Sequence, residues 1–420
     1  MSLSVVEICA GAGGQALGLD LAGFHHELAV EIDETAAATL QHNRPDWDVR
    51  VGDVADKTVW NPEEFDGVEL LAGGVPCPPF SMAGRQLGAQ DERDLFAWAI
   101  EAARRMRPRA ILLENVRGLS MPRFAAYRQR IRDRLLELGY WSDWQLLEAK
   151  NYNVPQLRPR FVLVALSIDD APYFNWPTPS NEIRTVGQTL ENLMAVNGWA
   201  GAKQWAQRAN TVAPTIVGGS KKHGGPDLGP TRAKAAWLKL GVDGSGIANQ
   251  APDRHQPYDY TPKLTNEMVA KLQGWDGDEY TWEFQGRKTS VYRQIGNAFP
   301  PPVARAIGNS ILDAITHNGV PGNINEHPAA EIVHDPIYRV LKKSDIPLSP
   351  SAAIRQAKLS MTREEFMEHL KVLENDFHIE VHGTDSRPTF QIGKFKGFTG
   401  EEDHVRNVLF KDKLTRSRIS

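Results

Sequence analysis

The chain of 420 residues has very little cysteine, only Cys9 and Cys77, and a net charge of only −4. Two cysteines exclude a disulfide framework and a cysteine-rich zinc site. No apolar run reaches the roughly 18 residues that a membrane-spanning helix needs, so we expect no membrane contact. The small net charge means that any surface for nucleic acid must be local.

The N-terminus also lacks a secretory signal, because residues 5–8 already read as an apolar strand. We therefore expect a cytoplasmic protein. The chain is rich in glycine (35), proline (27) and tryptophan (11), and 41% of its residues are hydrophobic. This composition indicates an α/β frame of two or three domains that carries long structured loops.

Residues 73–81, Gly-Gly-Val-Pro-Cys-Pro-Pro-Phe-Ser, are the centre of the pattern. They follow an apolar run, residues 68–72, that predicts a buried strand. The turn holds Cys77 at the carboxyl end of that strand, where ligands collect in open parallel sheets. A thiolate is a strong nucleophile, although a small buried residue in a tight turn is the alternative interpretation.

Three more strand ends predict a pocket for a nucleoside. The glycine turn of residues 10–14 separates a short strand from a helix and allows close approach of a ligand. Glu31 ends the second predicted strand, where an acid commonly binds ribose hydroxyls. We assign Asp33 to the N-cap of the next helix instead. Asp53 lies in a third strand, residues 49–54, and the pocket has no basic residue to clamp a phosphate.

Two further features belong to the same predicted sheet edge. The polar, glycine-punctuated residues 82–93 predict a mobile loop beside Cys77. After an amphipathic helix at residues 94–106, the apolar residues 110–113 predict a fourth buried strand. Glu114 follows that strand directly, which favours a role in the site over that of a surface acid.

Arginines occur in two patterns. Those at 128, 130, 132 and 134 share one face of a predicted helix, and we interpret this face as solvated surface. Arg158 and Arg160 alternate in an extended segment and should project to one side. Such a pair suits recognition of an anion or a base edge, while paired surface arginines without a role are the alternative.

From about residue 167 to 264 the regular periodicity fades. The basic, glycine-rich residues 211–222 and 231–234 suit contacts with phosphates and bases, although a long loop region without that role is the alternative. Helices are predicted again at residues 264–272 and 302–315. The tail after residue 322 has a helix capped by Thr362 with Glu365, two short strands at residues 377–381 and 389–392, and a basic end at residues 411–418.

Together these residues resemble the C5-cytosine DNA methyltransferases over roughly the first three quarters of the chain. The matching segments, in the order of that family, are residues 10–14, 31–33, 52–54, 76–81, 114–116, 156–160 and 294–298. Cys9 stands where the family commonly has Phe, and Ile32 stands where an aromatic residue often covers the adenine. Both remain apolar, so we expect altered affinity for the cofactor and not lost binding.

The resemblance implies a doubly wound, Rossmann-like α/β methyltransferase domain that binds S-adenosyl-L-methionine, at residues 1–166. An irregular target-recognition domain would occupy residues 167–275, and residues 276–325 would return to the catalytic domain. A small α+β extension of unknown role would follow at residues 326–420.

The chemistry that the resemblance implies is methyl transfer to C5 of a cytosine flipped out of duplex DNA. The thiolate of Cys77 would add to C6, while Glu114 holds N3 and the exocyclic amine. Arg160, with Arg158 beside it in the catalytic set, would bind O2. No metal is implied.

Two larger sets of residues follow from the same resemblance. The implied cofactor-binding residues are Cys9, Ala10, Gly11, Gly13, Gly14, Glu31, Ile32, Asp53, Val54, Pro76, Leu95, Asn297 and Ala298. The implied DNA-binding residues are Ser81, Arg85, Gln90, Arg93, Gln156 and Thr215.

The implied partner is double-stranded DNA, with a cognate restriction endonuclease acting separately, and we expect a monomer. Three other interpretations stay open. A transfer-RNA cytosine methyltransferase shares the fold, but residues 167–264 form the large, locally basic region that suits a reader of DNA sequence. A non-catalytic DNA-binding relative would usually lack Cys77 or Glu114. A dinucleotide oxidoreductase would leave both residues unexplained.

Overall fold

The computed structural model describes residues 3–76, 95–218, 226–322 and 334–402. Several predicted features lie outside these residues. They are the nucleophile Cys77, the loop at residues 82–93 with Ser81, Arg85, Gln90 and Arg93, and the basic end at residues 411–418. Within the described residues, no helix is long and apolar enough to span a bilayer.

A sheet of seven strands forms the centre of the molecule, in the order β3-β2-β1-β4-β5-β7-β6. The strands are β1 Leu3–Ile8, β2 Phe24–Glu31, β3 Val49–Val51, β4 Leu70–Gly73, β5 Ala110–Val116, β6 Tyr140–Glu148 and β7 Pro159–Ser167. Strands β1 to β5 pair in parallel, as predicted. Strand β7 is antiparallel to both neighbours, because the short connection from β6 leaves no room for a parallel crossover.

Helices cover both faces of this sheet. They are α1 Gly14–Leu21, α2 Glu34–Asn43, α3 Phe96–Met106, α4 Ala125–Glu137 and α10 Pro301–Ile315. Two further helices, α8 Asn266–Gln273 and α9 Lys288–Asn297, pack in one apolar cluster with Trp205 and Trp237. One apolar cluster joins α3 and α4 to one face of the sheet, and a second joins α1 and α10 to the other. This arrangement is the doubly wound fold that the sequence predicts.

The region between residues 167 and 264 is more ordered than its sequence indicates. It contains α5 Val186–Ala195, α6 Ala202–Arg208 and α7 Thr231–Lys239. Its core contains three buried tryptophans, Trp199, Trp205 and Trp237. Since the same cluster continues into Ala10 and Trp282, the region packs directly on the end of the sheet that carries the glycine turn.

The C-terminal extension is a small α+β unit that docks on α4. Its elements are α11 Pro336–Lys343, α12 Pro350–Gln356, α13 Arg363–Leu373, β8 Phe377–Thr384 and β9 Arg387–Phe395. The predicted capping box is confirmed, because the Thr362 amide donates to Glu365 (2.7 Å) and the Glu365 amide donates to the Thr362 hydroxyl (3.1 Å). The two strands form the antiparallel hairpin β8-β9.

The docked extension corrects the interpretation of the arginine face of α4. Arg128 and Arg132 are buried, not solvated, and Ala126 belongs to the apolar core of the extension. The rings of Tyr127 and Phe395 lie 5.9 Å apart across the interface. The Arg128 guanidinium donates to the carbonyl oxygens of Leu119 (2.6 Å) and Met121 (2.9 Å), and burial lowers its pKa to about 10.

Candidate active site

A cavity of about 690 Å³ opens at the carboxyl ends of the parallel strands. Its wall brings together twelve of the thirteen predicted cofactor-binding residues and the predicted catalytic Glu114. Those twelve are Cys9, Ala10, Gly11, Gly14, Glu31, Ile32, Asp53, Val54, Pro76, Leu95, Asn297 and Ala298. Gly13 is not in the wall, since its backbone lies against the ring of Trp282. The sheet edge therefore gathers residues from seven separate segments.

The glycine turn needs its glycines for two different reasons. Gly11 and Gly13 have φ angles of 58° and 93°, in the left-handed region that favours glycine. Gly14 starts α1, and a Cβ atom there would lie 2.3 Å from the carbonyl oxygen of Phe299. The turn can therefore pack tightly on the segment before α10 and leave its other side open to the cavity.

Glu31 joins the glycine turn to the end of β2. Its Oε2 accepts a hydrogen bond from the Gly11 amide (2.8 Å) and its Oε1 accepts one from the Asp33 amide (2.7 Å). Burial raises the pKa of Glu31, although these amides oppose that effect. The predicted N-cap is confirmed, because Asp33 Oδ1 accepts from the amides of Thr35 (2.9 Å) and Ala36 (3.3 Å).

Glu114 and Arg160 form a buried ion pair at the opposite end of the cavity. Glu114 Oε1 lies 2.5 Å from Arg160 Nε, and both residues are at most 9% exposed. Burial raises the pKa of Glu114, and Arg160 and Arg158 only partly oppose this. A buried carboxyl with a raised pKa can carry a proton that a substrate nitrogen would accept.

The segment that leads to Cys77 passes directly beside Glu114. A Cβ on Gly74 would be 3.6 Å from Glu114 Oε2, and Pro76 lies in the cavity wall. The Asn115 side chain donates to the carbonyl oxygen of Val75 (3.0 Å) and holds this segment in place. Cys77 follows Pro76 in the chain, although its own position is outside the described residues.

Arg158 does not share the place of Arg160, so the structure does not bring the two predicted catalytic arginines together. Its guanidinium donates to the carbonyl oxygens of Ile216 (2.7 Å), Gly296 (2.8 Å) and Ala298 (2.8 Å). Only 1% of Arg158 is exposed, and it is absent from the cavity wall. Three carbonyl groups from two distant segments thus converge on one buried cation.

Gln156 belongs to the same buried network, which corrects its predicted contact with DNA. The side chain is fully buried and donates to Gln273 Oε1 (2.6 Å) and to the Leu272 carbonyl (3.1 Å). It also accepts from the Ile216 amide (2.9 Å). Thr215 is half-buried, and its hydroxyl donates to the Leu157 carbonyl, so its contact with DNA stays a prediction.

The cavity wall also contains polar side chains that sequence reasoning did not assign. Arg293 contributes a basic group at the ligand site, and its Nη2 lies 3.8 Å from Asp33 Oδ2. Glu7 and Gln15 contribute buried polar groups. An acid inside the apolar strand at residues 5–8 was the available signal for Glu7. For Arg293, the available signal was its position three residues before Gly296, directly next to the matching segment at residues 294–298.

Known proteins are similar to this chain over the residues that form this site. The family model of C-5 cytosine-specific DNA methylases matches residues 3–313. The chain is 56% identical over 409 residues to the Type II methyltransferase M.NaeI of Lentzea aerocolonigenes, covering 97% of this chain and 98% of that one. It is 48% identical over 319 residues to M.NgoMIV of Neisseria gonorrhoeae, covering 75% of this chain and 99% of that one.

Among solved structures, a DNA modification methyltransferase encoded in an E. coli prophage superposes with a TM-score of 0.51 at 21% identity. The match covers 75% of this chain and all of that one, and it supports the fold alone. The family model and the two relatives, together with the sheet edge that brings the matching segments around one cavity, show that this chain belongs to the C-5 cytosine-specific DNA methylases.

Proposed function

We propose that this protein is the modification enzyme of a restriction-modification system, which methylates C5 of a cytosine within one specific duplex sequence. Members of the family use S-adenosylmethionine, which supplies an electrophilic methyl group when bound. The observation that carries the proposal is the Glu114–Arg160 pair, buried at the end of the cavity and beside the segment that leads to Cys77. The names of M.NaeI and M.NgoMIV, both Type II methyltransferases, support the biological context.

The described residues fit the cofactor. Glu31 has a carboxylate beside the glycine turn, where ribose hydroxyls can be bound, and Asp53 lines the same wall. Ile32, 55% exposed at the cavity, offers an apolar surface to the adenine. Asn297 and Ala298 complete the wall from the far end of the chain.

At the other end of the cavity, the residues would activate the base. The Cys77 thiolate would add to C6 of cytosine and make C5 nucleophilic. Glu114 would hold N3 and share a proton with it, consistent with its raised pKa. Arg160 would stabilise the negative charge that develops on O2. After methyl transfer, loss of the C5 proton would release the cysteine.

We also propose that residues 167–275 read the target sequence and that residues 276–325 return the chain to the catalytic domain. The protein would act as a cytoplasmic monomer, and any endonuclease would act separately. The helices α5 to α7 and their tryptophan core support a stable recognition unit. Grafting residues 167–264 from a relative with another target should transfer that target. A folded, active graft that keeps the original site would contradict this assignment.

The direct test is incubation of the pure protein with labelled S-adenosylmethionine and either duplex DNA or transfer RNA. We expect label in DNA only, and bisulfite sequencing of the product should show a single sequence context. A Cys77→Ser variant should lose transfer and keep cofactor binding, because a hydroxyl is a far poorer nucleophile than a thiolate. Labelling of transfer RNA alone would favour the RNA methyltransferase, and a fully active Cys77→Ser variant would exclude the proposed nucleophile.

A further inference from the structure

Besides docking on α4, the C-terminal extension contacts the catalytic domain at α3. The contact is made by the turn at residues 396–401, here called the β9 turn. Phe398 in this turn is 2% exposed and belongs to the apolar cluster of α3, α4 and the sheet. Gly400 lies against Trp98 of α3, because a Cβ atom on Gly400 would be 3.5 Å from Cδ1 and 3.7 Å from Nε1 of the indole. The β9 turn therefore packs on α3.

Hydrogen bonds hold the β9 turn in one conformation. The Lys396 amide donates to the carbonyl oxygen of Asp376 (2.9 Å), which fixes the start of the turn to the rest of the extension. The Glu401 carboxylate accepts from the Thr399 amide (3.0 Å) and also from the Thr399 hydroxyl. Gly400 between them has a φ angle of 108°, in the left-handed region that favours glycine. The contact with α3 is thus made by a fixed piece of chain.

The contacted turn of α3 is joined to the segment that leads to Cys77. Leu95 occupies the N-cap of α3 and lies three residues before Trp98, on the same side of the helix. A leucine side chain cannot cap the free amides of the first turn, so packing must hold this end of the helix. The Leu95 amide donates to the carbonyl oxygen of Pro76 (3.4 Å), and both residues line the cofactor cavity. The position of the first turn of α3 therefore helps to set the position of Pro76.

A second path leads from Trp98 to another part of the cavity wall. The rings of Trp98 and Trp60 meet edge to face with 6.2 Å between their centroids, and both residues are buried. Trp60 Nε1 donates to the carbonyl oxygen of Val54 (2.7 Å), and Val54 lines the cavity beside Asp53. Because protein interiors are close-packed, a shift of one of these rings is felt by its neighbours. A shift of Trp98 should therefore displace two parts of the wall.

The middle of α3 is fixed by the catalytic domain itself. Glu101 Oε1 accepts from Arg134 Nε of α4 (2.6 Å), and Oε2 accepts from Arg134 Nη2 (3.0 Å). These contacts do not involve the extension. Loss of the β9 turn should therefore loosen the first turn of α3 and leave the rest of the helix in place.

We propose that Phe398 and Gly400 are positioning residues for methyl transfer. They hold the first turn of α3, and through it Pro76 and Val54, where the cofactor and the segment before Cys77 need them. Neither residue belongs to the cavity wall, so both act through Trp98 and its neighbours. This inference rests on the proposed function, and it gives the extension a role in the reaction in addition to its docking on α4.

The test begins with Phe398→Ala in the full chain. This variant should lower the single-turnover rate of transfer to duplex DNA by about threefold to tenfold and weaken binding of S-adenosylhomocysteine to a similar extent, the size of coupling that packed side chains transmit. Its affinity for duplex DNA without cofactor should stay within about twofold of the wild type, since the turn packs on α3. Phe398→Leu restores most of the apolar volume and should recover the rate to within about twofold of the wild type.

A matched control separates positioning from a general loss of stability. Phe366→Ala removes an equally buried ring from the core of the extension itself. It should leave the rate and the affinity for S-adenosylhomocysteine within about twofold of the wild type, because distant sites act independently. All variants are compared well below their unfolding temperatures. If Phe398→Ala does not fold, Phe398→Val leaves a smaller cavity and serves for the same comparison.

A double-mutant cycle tests the path through Trp98. In a Trp98→Leu chain the contact with the β9 turn is already lost, so adding Phe398→Ala should change the rate by less than about twofold. If the two losses multiply instead, the path through Trp98 is wrong.

The outcomes separate this inference from the proposed function. If the wild type transfers no methyl group to DNA, the proposed function itself fails. If the wild type is active, a Phe398→Ala variant that matches it in rate and in affinity for S-adenosylhomocysteine overturns the positioning role. An equal loss in Phe366→Ala would overturn it as well, and so would a Phe398→Leu variant that recovers no activity.

Discussion

Among the described residues, six buried polar or charged side chains line the cofactor cavity, whereas the C-terminal extension has two. In the extension, the buried Asp335 accepts from the Tyr338 amide (2.9 Å) and pairs with His369 (2.9 Å), and the capping box satisfies the start of α13. In the cavity, Glu7 and Gln15 have atoms without a partner among the described residues. Glu114 pairs with Arg160 beside a space large enough for a nucleoside. The polar groups of the cavity thus surround an open space, whereas Asp335 and the capping box hold the scaffold of the extension together.

The largest effect should come from the cavity, at Glu114. Glu114→Gln removes the proton that the buried carboxyl can share with the base and should lower the rate of methyl transfer by about 10²–10⁴-fold. Binding of S-adenosylhomocysteine should stay unchanged. Single-turnover transfer to duplex DNA measures the effect, with the exposed Glu63→Gln as control. A rate within threefold of wild type would remove Glu114 from the chemistry.

Arg158 tests whether a buried residue near the cavity, with three carbonyl partners, behaves as scaffold. Arg158→Met leaves the carbonyl groups of Ile216, Gly296 and Ala298 without their donor. We expect the free energy of unfolding to fall by about 3–5 kcal/mol, since each buried unsatisfied acceptor costs about 1–3 kcal/mol. Denaturant titration measures it, with the exposed Arg104→Met as control. Unchanged stability with lost transfer would return Arg158 to the catalytic set.

Glu31 accepts hydrogen bonds from two backbone amides and also lies in the cavity wall. It therefore combines a structural role with a place at the ligand site. Glu31→Ala should weaken binding of S-adenosylmethionine by about 1–3 kcal/mol through lost hydrogen bonds to a charged group. Calorimetric titration checks this, and Asp56→Ala, an exposed acid outside the cavity, serves as control. An unchanged dissociation constant would place the ribose contact elsewhere.

The extension should give a small and pH-dependent effect at His369. The hydrogen bond to Asp335 raises the pKa of His369 in the folded protein. Its stabilisation is therefore fully present below about pH 6.5, the unfolded value, and is lost as the pH rises through the higher folded value. The difference in unfolding free energy between wild type and His369→Gln should fall by up to about 1 kcal/mol over that range. A difference that grows with pH would contradict the assignment.

Removal of the whole extension should change recognition least. A chain without residues 330–420 should methylate the same sequence, with the same salt dependence of DNA affinity, because the extension is bound to α4 through an apolar core. Its stability should decrease as the buried face around Arg128 becomes exposed. Bisulfite sequencing and binding across a salt series are the measurements. A slope lower by one unit or more would show that the extension contacts phosphates.

The sequence predicts the sheet edge well because the signals there are local. Apolar runs mark the strands. Glu31 ends β2, and Glu114 follows the apolar run of β5, which continues to Val116. The contacts that orient the arginine side chains are not local in the sequence. The carbonyl partners of Arg158 lie 58, 138 and 140 residues further along the chain. Likewise, nothing near Arg128 indicates that a unit beginning some 200 residues later covers it, so the prediction of a solvated face was wrong. The catalytic role of Arg158 stays a prediction.

The contact between Trp282 and the glycine turn has a consequence for synthesis of the protein. Trp282 Nε1 donates to the carbonyl oxygen of Ala12 (2.8 Å), 270 residues earlier, and α10 packs on α1. A growing chain that has left the ribosome only as far as residue 275 lacks Trp282, Asn297 and Ala298. The cofactor site therefore cannot close until the recognition region has been made, and we expect no premature binding of the methyl donor by an incomplete chain.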